Sequence, residues 1–415
     1  ESMSRTMKDS GIPWIGEIPE GWKTAYLKHF CKVNSGREIE MELEASDVDA
    51  IPVFGSGGVF KYTNKAQFAG EAVMFGRKGT LGKPIYVNER FWAVDTMYYL
   101  TFGNMHKAKY CYYQLSVFNW EPYITQTALP SIVATDIVNS YFAFPPLAEQ
   151  HLIATFLDKK CSEIDSLIEL QEQMIEELKA YKQSVITEAV TKGIRNGELG
   201  VRNYKDSGIE WIGDVPEEWE VKRLKDVCMQ NPNTLSEKED KELEFDYVDI
   251  GSVSFEKGVF KSEHYAFKDA PSRARRKAAL GDLIMSSVRT YLRAIDIVNT
   301  KEKANYIYST GFAVLTPFEN IKYQYLSYIS KSQYFLEQVG ILSKGINYPS
   351  INTTDLMTIS IVLPPLTEQQ AIADYLDKKC GEIDELITIK QQKIESLKEY
   401  KKSVIYEYVT GKREV

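Results

Sequence analysis

The hydrophobic pattern contains a long stripe in which apolar residues recur three and four positions apart. It begins after Pro145-Pro146, and no glycine or proline follows until Gly193. A heptad repeat sustained over about four heptads is typical of a coiled coil. About 40 helical residues at ~1.5 Å each would form a rod of about 60 Å. We therefore predict one long helix in this region.

The same stripe occurs a second time. Pro145 to Gly193 returns as Pro364 to Lys412, 219 positions later, with 30 of 49 residues identical. One amphipathic helix cannot bury its stripe alone, so we predict that the two helices pair. The residues predicted to form this helix-pair or subunit interface are Leu157, Ile164, Ile168, Ile175, Leu178, Val185, Leu376, Ile383, Ile387, Ile394, Leu397 and Val404.

The pairing could be antiparallel or parallel. An antiparallel pair would place the two flanking domains at opposite ends of the rod, related by a pseudo-twofold axis, and we favour this arrangement. A parallel pair would place both domains at one end. Four polar residues lie in the stripes, namely Gln171, Lys182, Lys390 and Lys401. They either fix the register at some cost in stability or lie at the edge of the interface.

The regions that precede the stripes are also related. Ser10 to Trp22 returns as Ser207 to Trp219, with nine of 13 residues identical. Between these motifs the two copies have diverged, and our alignment of Gly70–Met74 with Gly281–Met285 pairs Lys78 with Arg289. The predicted organisation is two variable domains and two conserved helices. The domains span 1–146 and 196–365, and the helices span 147–195 and 366–415.

The variable domains have the pattern of an α+β fold with mixed helices and strands. Short apolar runs at Ala72–Phe75, Pro84–Val87 and Tyr98–Phe102 predict strands. Residues Lys109–Val117 and Lys322–Ser330 have a helical pattern. The segment Gly55-Ser56-Gly57-Gly58 fits no phosphate-loop motif, so we interpret it as a hairpin turn.

Composition and charge narrow the functional class. The chain has 415 residues, of which 44% are hydrophobic and 26% charged, values typical of a folded globular protein. The net charge of -8 argues against a nonspecific nucleic-acid binder. The five cysteines form no CxxC pair, and the start of the chain has no signal-peptide core, so we predict a reduced cytoplasmic protein. We predict no membrane span, because the sequence has no long apolar run.

Positive charge is nevertheless concentrated locally. Residues 273–293 carry a net charge of +5, and the turn at 76–83 carries Arg77, Lys78 and Lys83. Each domain thus places basic side chains after an apolar strand, where they can reach phosphates or guanine edges. No catalytic site is visible, because the histidines His29, His106, His151 and His264 are scattered and Glu239-Asp240-Lys241 lies in a charge run.

Several of these motifs resemble the DNA specificity subunits of type I restriction-modification systems. Trp14-Ile15-Gly16-Glu17-Ile18-Pro19 and its copy are similar to the opening of those subunits. Pro145-Pro146-Leu147-Ala148-Glu149-Gln150 and its copy resemble the start of their conserved helices. Gly76-Arg77-Lys78-Gly79-Thr80 resembles a common form of their target-recognition domains, whereas the second domain has Ser286-Ser287-Val288-Arg289-Thr290 there.

The resemblance implies a non-catalytic subunit in which two target-recognition domains bind a gapped, asymmetric site in double-stranded DNA. The paired helices would set the gap and dock two methyltransferase subunits, and further subunits would restrict DNA. The resemblance also implies that this chain binds no cofactor and that S-adenosylmethionine, ATP and Mg²⁺ bind to the partner subunits. The candidate DNA-binding residues are Ser56, Lys61, Arg77, Lys78, Thr80, Lys83, Arg273, Arg275, Arg276, Arg289, Arg293 and Lys344.

Two other classes of function remain open at this point. A stand-alone DNA methyltransferase or nuclease is disfavoured because the Asn-Pro-Pro-aromatic box is missing: Asn231-Pro232-Asn233 lacks its second proline and its aromatic residue. A coiled-coil interaction protein that never contacts DNA is the second alternative, and a salt-dependent, sequence-selective shift of DNA would exclude it.

Overall fold

The structure, a computed structural model, describes residues 5–103, 105–195, 198–199 and 203–415. The first residues of the chain and the side chain of His106, both considered above, lie outside the described part. The chain forms two compact units. Unit 1 comprises Glu1–Glu172 and Gln391–Val415, and unit 2 comprises Gln173–Lys390. Each unit therefore contains one variable region and a part of both long helices.

The two predicted long helices are confirmed, as are the two shorter ones. The helices are α1 (Met105–Val117), α2 (Ala134–Val138), α3 (Leu147–Lys192), α4 (Lys301–Asn305), α5 (Tyr323–Lys331), α6 (Gln333–Leu342), α7 (Thr353–Leu356) and α8 (Leu366–Val409). Both long helices begin directly after a Pro-Pro pair, since proline is tolerated only in the first turn of a helix. Glycines with positive φ follow their ends, Gly193 at 76° and Gly411 at 72°.

Unit 1 is built around a six-stranded sheet in the order β4-β9-β7-β8-β5-β6. Its strands are β1 (Met7–Asp9), β2 (Glu17–Pro19), β3 (Lys23–Tyr26), β4 (Cys31–Ser35), β5 (Ile51–Gly55), β6 (Gly58–Thr63), β7 (Phe68–Gly76), β8 (Ile85–Ala93), β9 (Met97–Phe102), β10 (Ile124–Thr125), β11 (Ser131–Ile132) and β12 (Tyr141–Phe144). Strands β5 and β6 form the predicted hairpin around Ser56. The β5–β8 pair is parallel, and the other pairs of this sheet are antiparallel.

Unit 2 distributes the corresponding strands over two four-stranded sheets, β18-β27-β24-β25 and β22-β19-β26-β23. Its strands are β13 (Ile194–Arg195), β14 (Glu198–Leu199), β15 (Tyr204–Asp206), β16 (Asp214–Pro216), β17 (Glu220–Arg223), β18 (Cys228–Gln230), β19 (Glu244–Val248), β20 (Val253–Ser254), β21 (Gly258–Val259), β22 (Glu263–Ala266), β23 (Ala274–Lys277), β24 (Leu283–Ser286), β25 (Ile295–Ile297), β26 (Ile307–Ser309), β27 (Phe312–Pro317) and β28 (Ser360–Leu363). The short helix α4 lies between β25 and β26, where unit 1 has the single strand β8. The continuous strand β7 is likewise replaced by the two strands β23 and β24, so the single sheet of unit 1 is divided in unit 2.

The long helices run antiparallel within each unit, as predicted. In unit 1 the Phe156 ring packs 4.5 Å from that of Tyr408, and further along α3 Asp165 is bonded to Lys401. In unit 2 Met174 contacts Lys390, and Lys182 is bonded to Asp384. In both units, residues with higher numbers in α3 contact residues with lower numbers in α8, as expected for an antiparallel pair. The twelve predicted interface residues are buried or half-buried.

Two of the polar residues in the stripes form ion pairs between the helices. Lys182 Nζ lies 2.7 Å from both carboxylate oxygens of Asp384. Its duplicate, Lys401, lies 2.7 Å from both oxygens of Asp165. These pairs are partly exposed, so each is worth only ~0.2–1 kcal/mol. Their position nevertheless favours the interpretation that the lysines fix the register of the helices.

We expect the substitution Lys182→Glu to lower the free energy of unfolding by about 1 kcal/mol or less, because it faces Asp384 with a like charge. The double variant Lys182→Glu/Asp384→Lys should recover most of the loss. Urea denaturation measures both changes. The Lys401–Asp165 pair provides a matched control, and the absence of recovery in either double variant would contradict the observed register.

The two conserved motifs are joined in each unit by the same hydrogen bond. Trp22 Nε1 donates to Glu149 Oε2 at 3.2 Å, and Trp219 Nε1 donates to Glu368 Oε2 at 2.9 Å. Both tryptophans are fully buried. The adjacent Gln369 is buried as well and donates to the carbonyl of Pro364 at 2.8 Å. The repeated opening motif and the repeated helix start thus occur together because they form one packed junction.

Candidate nucleic-acid interface

The basic turn of unit 1 connects β7 to β8 and is supported by two neighbouring segments. Ser56, at the tip of the β5–β6 hairpin, accepts a hydrogen bond from the backbone of Thr80 at 3.1 Å. The carbonyl of Arg77 accepts from Ile132 N at 3.0 Å. Arg77, Lys78 and Thr80 are exposed. The structure therefore places Ser56 of the hairpin against the turn that carries Arg77, Lys78 and Thr80.

The other two candidates of unit 1 occupy different surroundings. Lys83 is exposed at the end of the same turn. Lys61 lies on β6 and forms an ion pair with Glu42 at 2.6 Å. That carboxylate partly neutralises the charge of Lys61. This ion pair distinguishes Lys61 from the basic residues of the turn.

The corresponding turn of unit 2 connects β24 to β25 and holds two arginines in the left-handed region. Arg289 has φ of 52° and Arg293 has φ of 48°. Each such position costs a non-glycine residue ~1–2 kcal/mol. Both side chains are exposed. Lys344 lies beside this turn, because its backbone pairs with Ser350, which also bridges Val288.

The remaining arginines of unit 2 lie at a different place in the fold. Arg275 and Arg276 belong to β23 and are half-buried, and Arg273 is exposed just before it. Arg275 stacks 4.9 Å from the centre of the Phe267 ring. Burial lowers the pKa of the Arg276 guanidinium. The +5 segment at 273–293 is therefore divided between a strand and a turn.

The structure decides between the two alignments of the turns: it contradicts the pairing of Lys78 with Arg289 and agrees with the placement of Ser286–Thr290 at Gly76–Thr80. Ile132 N bonds to the carbonyl of Arg77, and its duplicate Ile351 N bonds to the carbonyl of Ser287. Lys78 and Val288 likewise bridge the duplicated serines Ser131 and Ser350. Lys78 therefore corresponds to Val288 and not to Arg289. A slip of one residue matters because it moves every side chain of a strand to the other face.

With the corrected alignment, arginine replaces glycine at the left-handed positions. Gly79 has φ of 82° and corresponds to Arg289. The turn of unit 2 contains one extra residue before Arg293. When this residue is allowed for, Gly82, with φ of 69°, corresponds to Arg293. The two scaffolds are thus equivalent, but positive charge projects from different points of the two turns.

The sequence matches the family described as type I restriction modification DNA specificity domain over residues 19–180 and 216–399. These matched stretches contain both variable regions and most of both long helices. The chain belongs to this family.

Relatives carry the same description, and one solved structure shares the fold. The chain is 27% identical over 95% of its length to the type I restriction enzyme MjaVIII specificity subunit of Methanocaldococcus jannaschii, covering 93% of that protein. It is 23% identical over 88% of its length to the EcoDI specificity subunit of Escherichia coli, covering 82% of that protein. A solved chain, described under complex assembly and conformational transition of the type I R-M system, shares the fold with a TM-score of 0.66 at 16% identity, covering 94% of this chain and 98% of that one.

The long helices of this family member carry an exposed apolar face that the stripe pattern did not reveal. Leu167, Leu170 and Tyr400 are exposed in unit 1. Their duplicates Leu386, Ile389 and Tyr181 are exposed in unit 2. These six residues, which we call the outer apolar positions, lie off the buried stripe. The sequence shows that these positions are repeated, but only the fold shows that they are exposed.

Exposed aromatic residues beside the turns were also not predicted. Tyr291 lies within the turn of unit 2, Tyr348 lies near Arg289, and Phe60 lies on β6 of the unit 1 hairpin. In the sequence they resemble the many core aromatics, so no pattern distinguished them.

The described residues contain no group of three or more histidine, cysteine, aspartate or glutamate side chains that could hold a metal ion. The search for helices long and apolar enough to cross a membrane, made over the same described residues, found none.

Proposed function

We propose that this chain gives a type I restriction-modification complex its DNA sequence specificity by binding a bipartite, gapped site. Each recognition domain would bind one half-site. The observation that carries the proposal is the pair of equivalent supported turns, on duplicated scaffolds, with different basic residues. Equivalent scaffolds present their side chains to DNA in the same way, whereas different side chains select different bases.

In this proposal the paired helices set the gap between the half-sites. Support comes from the continuity of α3 over 46 residues and of α8 over 44 residues. An uninterrupted helix has a fixed rise of about 1.5 Å per residue. A constant pair of helices joined to variable domains therefore provides a constant spacing together with a changeable sequence preference.

The outer apolar positions support the docking of two methyltransferase subunits. Monomeric proteins rarely leave large contiguous apolar surfaces exposed without a binding role. Because the exposed residues are duplicated, they offer two equivalent sites to two copies of one partner. Restriction subunits would join the same complex. Catalysis, with S-adenosylmethionine, ATP and Mg²⁺, would belong to the partners, and the complex would act on DNA in the cytoplasm.

Methyl transfer by the chain alone and sequence-selective DNA binding distinguish this function from a stand-alone methyltransferase and from an interaction protein, respectively. The purified chain alone should transfer no methyl group, whereas a stand-alone methyltransferase would. Together with its methyltransferase subunit, it should retard a specific duplex in a gel, with affinity falling steeply as salt rises. A chain that binds its partner but never selects a DNA sequence would be an interaction protein, and the proposal would be wrong.

We expect the double substitution Leu386→Asp/Ile389→Asp to remove one of two bound methyltransferase subunits, because it places charges in an apolar contact. Native mass spectrometry of the assembled complex measures the stoichiometry. Leu167→Asp/Leu170→Asp should remove the other copy, and Glu385→Ala/Thr388→Ala, on the same exposed turn of α8, should remove neither. Retention of two copies in both apolar double variants would contradict the docking site.

A further inference from the structure

We infer that Arg289 and Arg293 bind guanine bases directly in the major groove of the second half-site. This inference rests on the proposed function and specifies how one of the two domains selects its sequence. The starting observation is that both arginines occupy left-handed backbone positions where the first domain has Gly79 and Gly82. A residue with a Cβ is disfavoured there, so the backbone alone does not explain arginine at these positions.

Burial does not explain the arginines either. Both side chains are exposed, and neither forms an ion pair with any residue in the described part of the chain. Removing either side chain would therefore cost the isolated protein little. Strained residues that the fold does not need are typical of binding sites, where the strain positions a group for its ligand.

Each guanidinium is held near an aromatic ring. Arg289 Cζ lies 5.2 Å from the centre of the Tyr348 ring, and Arg293 Cζ lies 5.8 Å from that of Phe255. At such distances a cation is attracted to the ring face. The ring and the fixed backbone together restrict the direction of the planar guanidinium before DNA arrives. Less conformational freedom is then lost on binding.

Restricted direction favours a base contact over a phosphate contact. A phosphate accepts a flexible point charge from many directions, which an ordinary lysine provides. Guanine offers two acceptors, O6 and N7, side by side on its major-groove edge, and the guanidinium fork matches them with two parallel hydrogen bonds. The arrangement of Arg289 and Arg293 is therefore suited to guanine and exceeds what a phosphate requires.

To test the inference, the complex of this chain with its methyltransferase subunit is used to select DNA from a library randomised in both half-sites. The wild type should select guanine in the second half-site. Arg289→Ala and Arg293→Ala remove the guanidinium, so each should reduce the preference for one G·C pair by about 5- to 150-fold. The first half-site should be selected unchanged, which tests the proposed function in the same sample.

Two control variants separate base recognition from other roles. Arg223→Ala, at an exposed arginine on β17 of the same domain that is not among the candidate DNA-binding residues, should leave the selected sequence unchanged. Arg289→Gly releases the strained backbone, so its melting temperature should equal or exceed that of the wild type. A lower melting temperature for Arg289→Gly would make the arginine structural and overturn the inference.

Three further outcomes overturn the inference, and only the last of them also overturns the proposed function. If the alanine variants select the same second half-site and bind all sequences less well to the same extent, the arginines contact phosphates. If the wild type selects a second half-site without any G·C pair, guanine recognition is wrong. If the wild type selects no bipartite site at all, the proposed function itself fails, and the inference fails with it.

Discussion

Trp219→Ala is expected to lower the free energy of unfolding by about 3–5 kcal/mol, a range typical of replacing a buried tryptophan by alanine. Trp219 is fully buried in the core of unit 2. Its indole donates to Glu368 near the start of α8. A Cβ on Gly193, just past the end of α3, would come within 2.8 Å of its ring. The side chain therefore closes the junction between the domain and both long helices.

The duplication provides a matched test of this prediction. Trp22 is equally buried in unit 1 and donates to Glu149, so Trp22→Ala should cost a similar amount. Trp211 lies eight residues before Trp219 and is 42% exposed, so Trp211→Ala should cost much less. Urea denaturation followed by circular dichroism measures all three. A loss for Trp219→Ala no larger than that for Trp211→Ala would contradict the junction.

Lengthening both long helices should change the gap in the DNA target. The boundary between the units falls after Glu172 in α3 and after Lys390 in α8. Four residues inserted at each point add ~6 Å of helix and slightly more than one turn, which keeps the apolar stripe nearly in phase. Contacts inside each unit are preserved. Since DNA rises ~3.4 Å per base pair, the gap should grow by one or two base pairs.

The half-sites should keep their sequences in this variant, because neither recognition domain is altered. Methylation of target libraries with different gaps measures the change. Insertion of two residues at each point is the control: it turns the stripe through more than half a turn and should abolish assembly. A four-residue variant that folds, binds its methyltransferase and still methylates the original gap would exclude the helices as the determinant of spacing.

The long helices were predictable because their pattern is sustained. Many apolar residues at a constant spacing, bounded by Pro-Pro and glycine, leave one interpretation for α3 and α8. The hairpin at Ser56 was predictable for a similar reason, since glycines separate two apolar runs. In these segments local preference and tertiary packing favour the same structure.

The register of the central strands could not be predicted from the sequence. Val73 and Phe75 face one core of unit 1, whereas Ala72 and Met74 face another. A strand that is buried on both faces shows no alternation of polar and apolar residues. The apolar runs therefore aligned one residue out of register, which paired Lys78 with Arg289, whereas the comparison of the Gly76–Thr80 motif placed Arg289 at Gly79. The hydrogen bonds to Ile132 and its duplicate Ile351 decide for the second alignment.

The positions of the basic turns were predictable from the sequence, but the surroundings of each basic side chain were not. Local charge indicated the two turns correctly as basic segments after apolar strands. It could not show that Lys61 pairs with Glu42, or that Arg275 and Arg276 are half-buried in a strand. Those facts depend on which distant segments the fold brings beside each side chain.

The central claim is that one chain binds two separate half-sites at a fixed distance, and sequence selection tests it most directly. The complex of this chain with its methyltransferase subunit is incubated with duplexes randomised over about two to three helical turns, and the bound molecules are sequenced. We expect one asymmetric motif made of two specified blocks separated by an unspecified gap of constant length. A single contiguous motif, or two blocks at variable distances, or no enrichment at low salt, would contradict it.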